Sequence, residues 1–370
     1  MKSISWITAD YFLDVDLPII AELRKDYKVF WQIIIAHNST IDYEQYVKLL
    51  IPETDSNLII DYVYEPCRHR NPRLFFTTWR MVRNARAFKP DFYYISGFFA
   101  PWGLPLFKMM LPRKKIVLAC HNVSTPKGAI SSRSAERTMR YVLNNFPNIQ
   151  VFSKGQHQVL NTMCKGKNVL EAPLALKDYG KPGVTTIKNK DIIRFLNFGI
   201  IREYKRVDLL IEATNILYER GYKNFRVVIA GGCNDWDSLY APLIRHPEVF
   251  ELDIRRIPNE EVADLFAKSD YFVMPYQDIA QSGAITVAFK YNLPTIVSDI
   301  PQFKEFVEDG KTGIVFKTEN VQDLADKMRY VLENHIEIYP KLKQEQANYV
   351  QRELSIESII AKYKAYFEKL

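Results

Sequence analysis

Short runs of apolar, β-branched and aromatic residues recur along the chain, with amphipathic stretches between them. Such runs are typical of strands buried on both faces of a parallel sheet, and the stretches between them are typical of crossover helices. In the first half the pattern predicts strands at residues 3–8, 29–35, 58–64, 92–95, 115–120, 149–152 and 168–171. Helices are predicted between them, for example at 73–88. The predicted fold class is therefore α/β.

A second alternating series follows, with strands predicted at 194–198, 226–230, 249–253, 271–274, 295–298 and 313–316, then helices at 321–334, 338–350 and 356–370. Residues 176–191 carry Gly, Pro and Lys without buried periodicity and are predicted to be a linker. Because 370 residues exceed the usual size of one core, we expect two Rossmann-like doubly wound domains, at 1–175 and 192–354. The last helix, 355–370, is expected to cross back onto the first domain.

The composition excludes several classes of protein. Apolar residues make up 47% of the chain and charged residues 25%, which indicates a globular protein with a sizeable core. No apolar run is long enough for a transmembrane helix, and the N-terminus lacks the features of a signal peptide, so the expected location is the cytoplasm. The four cysteines are scattered without zinc spacing, which argues against structural zinc and a disulfide framework.

Positive charge is concentrated in the first half of the chain. Residues 1–180 contain 24 basic and 15 acidic side chains, whereas the remainder contains 26 and 28. Between Arg68 and Arg140, fifteen basic residues face only Asp91 and Glu136. A basic face of this kind suits anionic lipid head groups, a lipid-linked phosphate or nucleic acid, and it can also be a solvated surface without a partner.

Several nucleotide and metal motifs are absent or weak. No Gly-x-Gly-x-x-Gly follows the first strand and no Gly-Lys-Ser/Thr loop occurs, which argues against nicotinamide dehydrogenases and P-loop proteins. Two Asp-x-Asp triplets, at 14–16 and 235–237, lie where loops meet predicted helices and where Asp commonly caps free amides. We therefore predict no metal site and no cofactor.

The most informative segment is 195–213. A predicted strand ends at Gly199, and Arg202 and Lys205 follow in a turn that leads into a helix. This arrangement aims cations and helix-start amides at a diphosphate. Surface cations near a helix start are the alternative reading of the segment alone.

The segments 195–213, 227–232, 257–266, 269–299 and 301–316 together resemble the nucleotide-sugar domain of the family-4 retaining glycosyltransferases of the GT-B fold, also called glycosyl transferases group 1. The resemblance implies two domains facing a central cleft and a nucleotide diphosphate sugar as donor. It places Arg202 and Lys205 at the leaving diphosphate, together with the backbone of Gly199, Gln281, Ser282, Gly283 and Ala284. It also implies donor contacts for Ile257, Asp278 and Glu305.

The sequence departs from the family at two carboxylates. The family usually has two glutamates eight positions apart around this turn, where this chain has Ala280 and Ala288. Asp278 is a neighbouring carboxylate that can reach the sugar, and a turn residue is its alternative role. Glu305 matches a family glutamate, although Pro301 and Gln302 replace the paired glycines before it.

In the first domain the resemblance implies that His121, which follows the fifth predicted strand, lies over the donor sugar. A loop histidine with its hydrogen bonds satisfied is the alternative. Asp10, Tyr11, Ser96 and Gly97 also follow predicted strands and are the candidate acceptor-side residues. Open α/β sheets bind ligands at the carboxyl ends of their strands, which supports this placement.

The resemblance therefore predicts a metal-independent, hexosyltransferase-type enzyme in cell-surface polysaccharide biosynthesis, with a glycan or lipid-linked acceptor and same-face displacement. The basic face predicts peripheral contact with an anionic inner membrane face, and nucleic acid is not an expected partner because no nucleic-acid module is recognised. Alternatives are a nucleotide-sugar epimerase or hydrolase of the same fold, or a non-catalytic nucleotide-binding scaffold.

Overall fold

The computed structural model describes residues 1–39, 41–51, 56–68, 71–97, 102–123, 133–184, 188, 191–279 and 282–370. These residues form two compact units. The first unit contains the described residues up to Ala175 together with Leu354–Leu370, and the second contains those from Leu176 to Glu353.

The strands of the first unit form one parallel sheet. Within the described residues they are β1 Ser3–Ala9, β2 Lys28–Ile35, β3 Leu58–Tyr64, β4 Phe92–Ile95, β5 Ile116–Ala119, β6 Asn148–Val151 and β7 Asn168–Glu171, in the order β3-β2-β1-β4-β5-β6-β7. Their central residues, such as Trp6, Ile33 and Ile149, are fully buried because helices cover both faces.

The second unit repeats this topology with a further parallel sheet. Its strands in the described chain are β8 Ile193–Phe198, β9 Phe225–Ala230, β10 Phe250–Asp253, β11 Tyr271–Met274, β12 Thr295–Ser298 and β13 Gly313–Phe316, in the order β10-β9-β8-β11-β12-β13. The strand order reverses between β1 and β4 in the first sheet and between β8 and β11 in the second. At these switch points the connections diverge and leave a crevice at the carboxyl ends of the strands.

Helices connect the strands of each unit. In the first unit the described helices are α1 Leu13–Leu23, α2 Tyr43–Leu50, α3 Leu74–Ala87, α4 Gly103–Met110, α5 Arg133–Asn145 and α6 Lys154–Met163. Those of the second unit are α7 Val207–Glu219, α8 Trp236–Leu239, α9 Asn259–Ala267, α10 Gly283–Lys290, α11 Pro301–Lys304 and α12 Val321–Tyr349. A turn of π-helix at Val350–Leu354 leads into α13 Ile356–Phe367. No described helix is long and apolar enough to cross a membrane.

The prediction of two separate helices at 321–334 and 338–350 is wrong, because α12 runs without a break through Pro340. Tertiary contacts hold the stretch around the predicted break. The His335 ring accepts or donates a hydrogen bond at 3.1 Å with the Tyr271 hydroxyl and packs on the Tyr339 ring. Leu342, two residues beyond Pro340, is buried in the core of the second unit.

The last helix, α13, packs on the first sheet. The Tyr363 hydroxyl accepts a hydrogen bond of 2.7 Å from the Gln150 amide on β6. The Tyr366 hydroxyl donates to the Asn168 carbonyl on β7, and the Phe367 ring lies 4.3 Å from that of Phe92 on β4. Polar and aromatic contacts thus fix α13 to the first unit.

The segment predicted as a linker contacts the second unit. Asp178 forms a salt bridge of 2.6 Å with Lys290 at the end of α10. The Tyr291 hydroxyl accepts from the Tyr179 amide and donates to the Gly180 carbonyl. These contacts are polar, which explains why the segment shows no buried periodicity.

Candidate functional site

The loops after β8 and β11 meet at the switch point of the second sheet. The Gln277 amide, beyond β11, donates a hydrogen bond of 2.9 Å to the Tyr204 carbonyl, beyond β8. The Tyr204 and Tyr276 rings contact each other edge to face at 5.8 Å. The two loops therefore form one continuous surface at the carboxyl edge of the sheet.

Two glycines shape the turn after β8. Gly199 has a φ of +102°, a conformation that favours glycine. A side chain on Gly231 would place its Cβ 2.2 Å from the Gly199 carbonyl oxygen, so the β8 and β9 ends approach too closely for any other residue. This close approach leaves the space beside Gly199 to the Lys205 ammonium, which lies 3.1 Å from where a Cβ of Gly199 would be.

Lys205 is a buried cation that has no counterion among the residues the structure describes. Its side chain is 8% exposed and makes no hydrogen bond or salt bridge with any described residue, and its ammonium lies 5.5 Å from the centre of the Tyr276 ring. Burial, and then the positive charge of Arg202, lower the pKa of Lys205 to about 8. A desolvated cation that has no carboxylate partner is the expected arrangement of an anion-binding site before its ligand arrives.

The two neighbouring cations, Arg202 and Arg206, differ in whether they form salt bridges. Arg202 is exposed and forms no salt bridge within the described part of the chain. Arg206 is paired with Asp208 at 2.8 Å and with Glu319 at 2.8 Å. Arg206 therefore anchors the start of α7, while Arg202 and Lys205 keep their charge available at the switch point.

The turn before α10 provides the helix start that the sequence predicts. Ser282 is buried, and its hydroxyl accepts a hydrogen bond of 3.3 Å from the Ile285 amide, which leaves the earlier amides of Gly283 and Ala284 without an acceptor inside the helix. Gln281 and Ala280 lie outside the described residues. Ala288 is fully buried within α10, at a position where the family usually has a carboxylate.

A residue that the sequence analysis missed, Lys177, lies beside this helix start. Its Cε and Nζ are 3.4 and 3.6 Å from where a Cβ of Gly283 would be. Lys177 comes from the segment predicted as a linker, and nothing in its local sequence indicates a contact more than a hundred residues away. A Cβ at position 283 would therefore meet Lys177 at an ordinary van der Waals distance.

The other predicted donor residues occupy separate places in the second unit. Asp278 follows β11 and accepts a hydrogen bond of 3.3 Å from the Gln302 side chain. Ile257 is half-buried in the loop between β10 and α9. Glu305 ends α11 and lines a surface groove of about 850 Å³ beside β13 and α12. Arg202, Lys205 and Ser282 are not among the residues that line this groove.

In the first unit His121 follows β5 and is held between two aromatic rings. The Phe12 ring stacks on it at 3.5 Å and the Phe152 ring at 4.5 Å. A side chain on Gly97 would come within 2.9 Å of the Phe12 ring and of Ala9, so Gly97 makes room for Phe12. Gly97 thus leaves space for the ring that stacks on His121, and its acceptor-side role stays a prediction.

The remaining acceptor-side candidates differ in exposure. Tyr11 is 52% exposed, whereas Ser96 is buried after β4. Asp10 accepts hydrogen bonds of 3.1 Å from the Ala36 amide and from the Tyr43 hydroxyl. Glu65, which follows β3 and was not predicted, is buried, and burial together with the charge of Asp10 raises its pKa to about 7.

The Asp-x-Asp triplets do not form clusters of ligands. Asp16 points into the core, where its carboxylate accepts hydrogen bonds of 3.0 Å from the Trp6 indole and 2.7 Å from the Thr8 hydroxyl. Asp235 precedes α8 without a side-chain capping bond, so the capping that the sequence predicts there is wrong. No group of three His, Cys, Asp or Glu side chains within the described residues is arranged to hold a metal ion.

Part of the second unit is similar to a known family. Residues 192–334 match the family model of glycosyl transferases group 1. These residues are called the group 1 domain below. The matched range of the group 1 domain includes Gly199, Arg202, Lys205 and the start of α10, and the match confirms the group 1 resemblance that the motifs predict. The assignment to retaining family 4 stays a prediction.

A curated relative matches part of the chain. Over 144 residues the chain is 26% identical to D-inositol 3-phosphate glycosyltransferase of Corynebacterium aurimucosum, a match that covers 37% of this chain and 34% of that protein. The chain thus spans about a third of the length of the curated relative it matches.

Solved structures resemble the whole chain. HepE of Anabaena, in a crystal structure with UDP and glucose, has a TM-score of 0.73 at 11% identity over 100% of both chains. Sucrose-phosphate synthase of Thermosynechococcus elongatus has a TM-score of 0.71 at 14% identity over 100% of this chain and 99% of that one. Likenesses at such low identity show the fold, and they confirm the predicted α/β class of two Rossmann-like domains of the GT-B type.

Proposed function

We propose that this protein is a glycosyltransferase that moves a sugar from a nucleotide diphosphate sugar to a glycan or lipid-linked acceptor, with retention at the sugar. The observation that carries the proposal is Lys205, a buried ammonium with no salt bridge among the described residues, at the switch point of a group 1 domain. A diphosphate supplies the negative charge that pairs with such a cation. The HepE structures with UDP and glucose and with UDP-glucose support a nucleotide sugar as donor.

In the proposed reaction the cations and amides of the second unit bind the leaving diphosphate. Arg202 and Lys205, with the amides at the start of α10, bind the diphosphate and stabilise the charge that develops when the bond between the sugar and the phosphate breaks. The acceptor hydroxyl forms its bond on the same face of the sugar and gives its proton to the leaving phosphate oxygen. The reaction therefore needs neither an enzymatic nucleophile nor a metal ion in this proposal.

The remaining roles are assigned on the family resemblance. Asp278, Ile257 and Glu305 are assigned to the donor, and His121, held between Phe12 and Phe152, to the donor sugar. Asp10, Tyr11, Ser96 and Gly97 are assigned to the acceptor. A hexose as the transferred sugar, a role in cell-surface polysaccharide biosynthesis and peripheral contact with an anionic inner membrane face complete the proposal.

The test is binding of a nucleoside diphosphate, with UDP as the first probe. Arg202→Ala and Lys205→Met should each weaken UDP binding about tenfold to a hundredfold, because each removes a charge-assisted hydrogen bond. Arg206→Gln is the matched control. It removes a neighbouring positive charge that is already paired with Asp208 and Glu319, so UDP affinity should stay within about twofold of wild type.

If all three variants bind UDP and the other nucleoside diphosphates as tightly as wild type does, the assigned phosphate site is contradicted. Incubation of the protein with a nucleotide sugar, with and without acceptor extract, then separates the alternatives. Turnover that needs no acceptor would indicate an epimerase or hydrolase. Nucleotide binding without turnover of any donor would indicate a non-catalytic scaffold.

A further inference from the structure

We propose that the outward face of α3 docks the protein on an anionic membrane by inserting aromatic side chains, not by charge alone. This face, called the α3 face below, consists of Phe75, Phe76, Trp79, Arg80, Arg83 and Arg86. The inference rests on the membrane contact proposed above and gives that contact a location and a mechanism. It is independent of whether the second unit transfers a sugar.

The α3 face is unusual because it exposes three large aromatic residues, of which Phe75 also contacts the Trp102 ring edge to face at 6.3 Å. The opposite side of α3 supplies the buried residues Leu74, Met81, Val82 and Ala85. Phe76 is 72% exposed, and Phe75 and Trp79 are each 39% exposed. Single exposed apolar residues are ordinary on a globular protein, but three large aromatic residues on one face form a patch of the kind that marks an interaction site.

The arginines of the α3 face are available to a ligand. The Arg83 guanidinium lies 5.0 Å from the centre of the Trp79 ring, one helical turn away. None of Arg80, Arg83 and Arg86 forms a salt bridge with a described residue. Asp91, an acidic residue of this region, accepts hydrogen bonds from the Ser3 amide at 2.7 Å and the Ser3 hydroxyl at 3.0 Å and is thus already engaged.

This combination fits the interface of a lipid bilayer. Phe and Trp side chains gain free energy when they leave water for the acyl boundary, and Arg side chains extend from the same helix to anionic head groups. Phe76 is 72% exposed, so most of its ring is accessible to the acyl boundary of a bilayer. Single-stranded nucleic acid instead stacks its bases on aromatic rings within a groove. The observations therefore favour a membrane over a nucleic acid.

The experiment measures binding of the full chain to vesicles of phosphatidylcholine alone and of phosphatidylcholine with phosphatidylglycerol. Wild type should bind the anionic vesicles and lose affinity as salt increases. Phe76→Ser with Trp79→Ser should lower the partition coefficient about tenfold or more through lost apolar burial. Arg80→Gln with Arg83→Gln should lower it on the order of twentyfold through lost charge.

A control variant combines Ile336→Ser and Lys268→Gln in the second unit. Ile336 is 92% exposed and Lys268 is exposed, so the pair removes one exposed apolar side chain and one positive charge from another place. Its vesicle affinity should equal that of wild type. Trp79 fluorescence should shift to the blue on anionic vesicles in wild type, and the Trp79→Phe variant should lack that change.

If the aromatic variant binds anionic vesicles as tightly as wild type while the arginine variant binds them more weakly, the proposed insertion of aromatic side chains is wrong. Tighter binding to single-stranded RNA than to vesicles, abolished by the same variants, would assign the α3 face to nucleic acid and overturn the membrane proposal. Circular dichroism checks that each variant is folded. UDP binding in the second unit should stay unchanged in every α3 variant, so a failure of this inference is distinct from a failure of the proposed function.

Discussion

The replacement Lys205→Met should stabilise the free protein while it weakens nucleotide binding. Lys205 is buried without a salt bridge to any described residue, and its pKa is lowered from the ordinary value of 10.5 to about 8 by desolvation and by Arg202. At neutral pH the protonated ammonium of Lys205 is therefore less favourable in the folded state than in the unfolded state, and it lowers the free energy of unfolding. A change of this size in pKa corresponds to roughly 3 kcal/mol, which is the upper limit of the stabilisation expected for Lys205→Met at pH 7.

The stabilisation by Lys205→Met should depend on pH, whereas an effect of packing alone would not. Between pH 8 and 10.5 the unfolded chain holds the Lys205 proton more tightly than the folded chain, so the wild type gains stability as pH rises through this range. The methionine variant lacks this gain. The difference in free energy of unfolding between the variant and the wild type should therefore be largest at pH 7, shrink as pH rises from 8, and approach zero only above pH 10.5.

The assay is urea unfolding at several pH values, followed by hydrogen exchange and mass spectrometry of peptides from the second unit, so that the two units are read separately. UDP titration on the same samples should show weaker binding in the variant. Arg206→Gln serves again as the control, because its charge is already paired with Asp208 and Glu319. A Lys205→Met variant that is less stable than wild type at pH 7, or a difference that does not change with pH, would refute the desolvated cation.

Two further predictions concern other residues. Gly283→Val should abolish UDP binding because its side chain blocks the amides at the start of α10, while the unfolding transition stays close to wild type because a Cβ there meets only the flexible end of Lys177. Normal UDP binding by this variant would remove Ser282 and Ala284 from the site. Asp16 is fully buried and its pKa is raised to about 7 by desolvation, so the first unit should lose stability as pH rises from about 4 to 7. Asp16→Asn should remove this loss, as measured by urea unfolding across that range, and an unchanged pH profile would show that Asp16 is ionised in the core.

Local pattern determined the strands of both sheets. Residues 58–64, 92–95, 271–274 and 295–298 are predicted with the observed bounds, because strands buried on both faces need continuous β-branched and aromatic runs. The order of the motifs likewise identified the group 1 domain and placed Arg202 and Lys205 after β8, since the chain itself orders a strand, its turn and the next helix.

Tertiary structure decided which of these cations is paired with carboxylates. Nothing in the sequence separates Lys205 from Arg206, yet Glu319, more than a hundred residues away, pairs with Arg206. The continuation of α12 through Pro340 depends on contacts of its His335 with Tyr271. Pairing, desolvation and ring stacking join groups that are distant along the chain. A local pattern therefore predicts which elements form, whereas the packing of those elements sets the charge state and the orientation of each side chain.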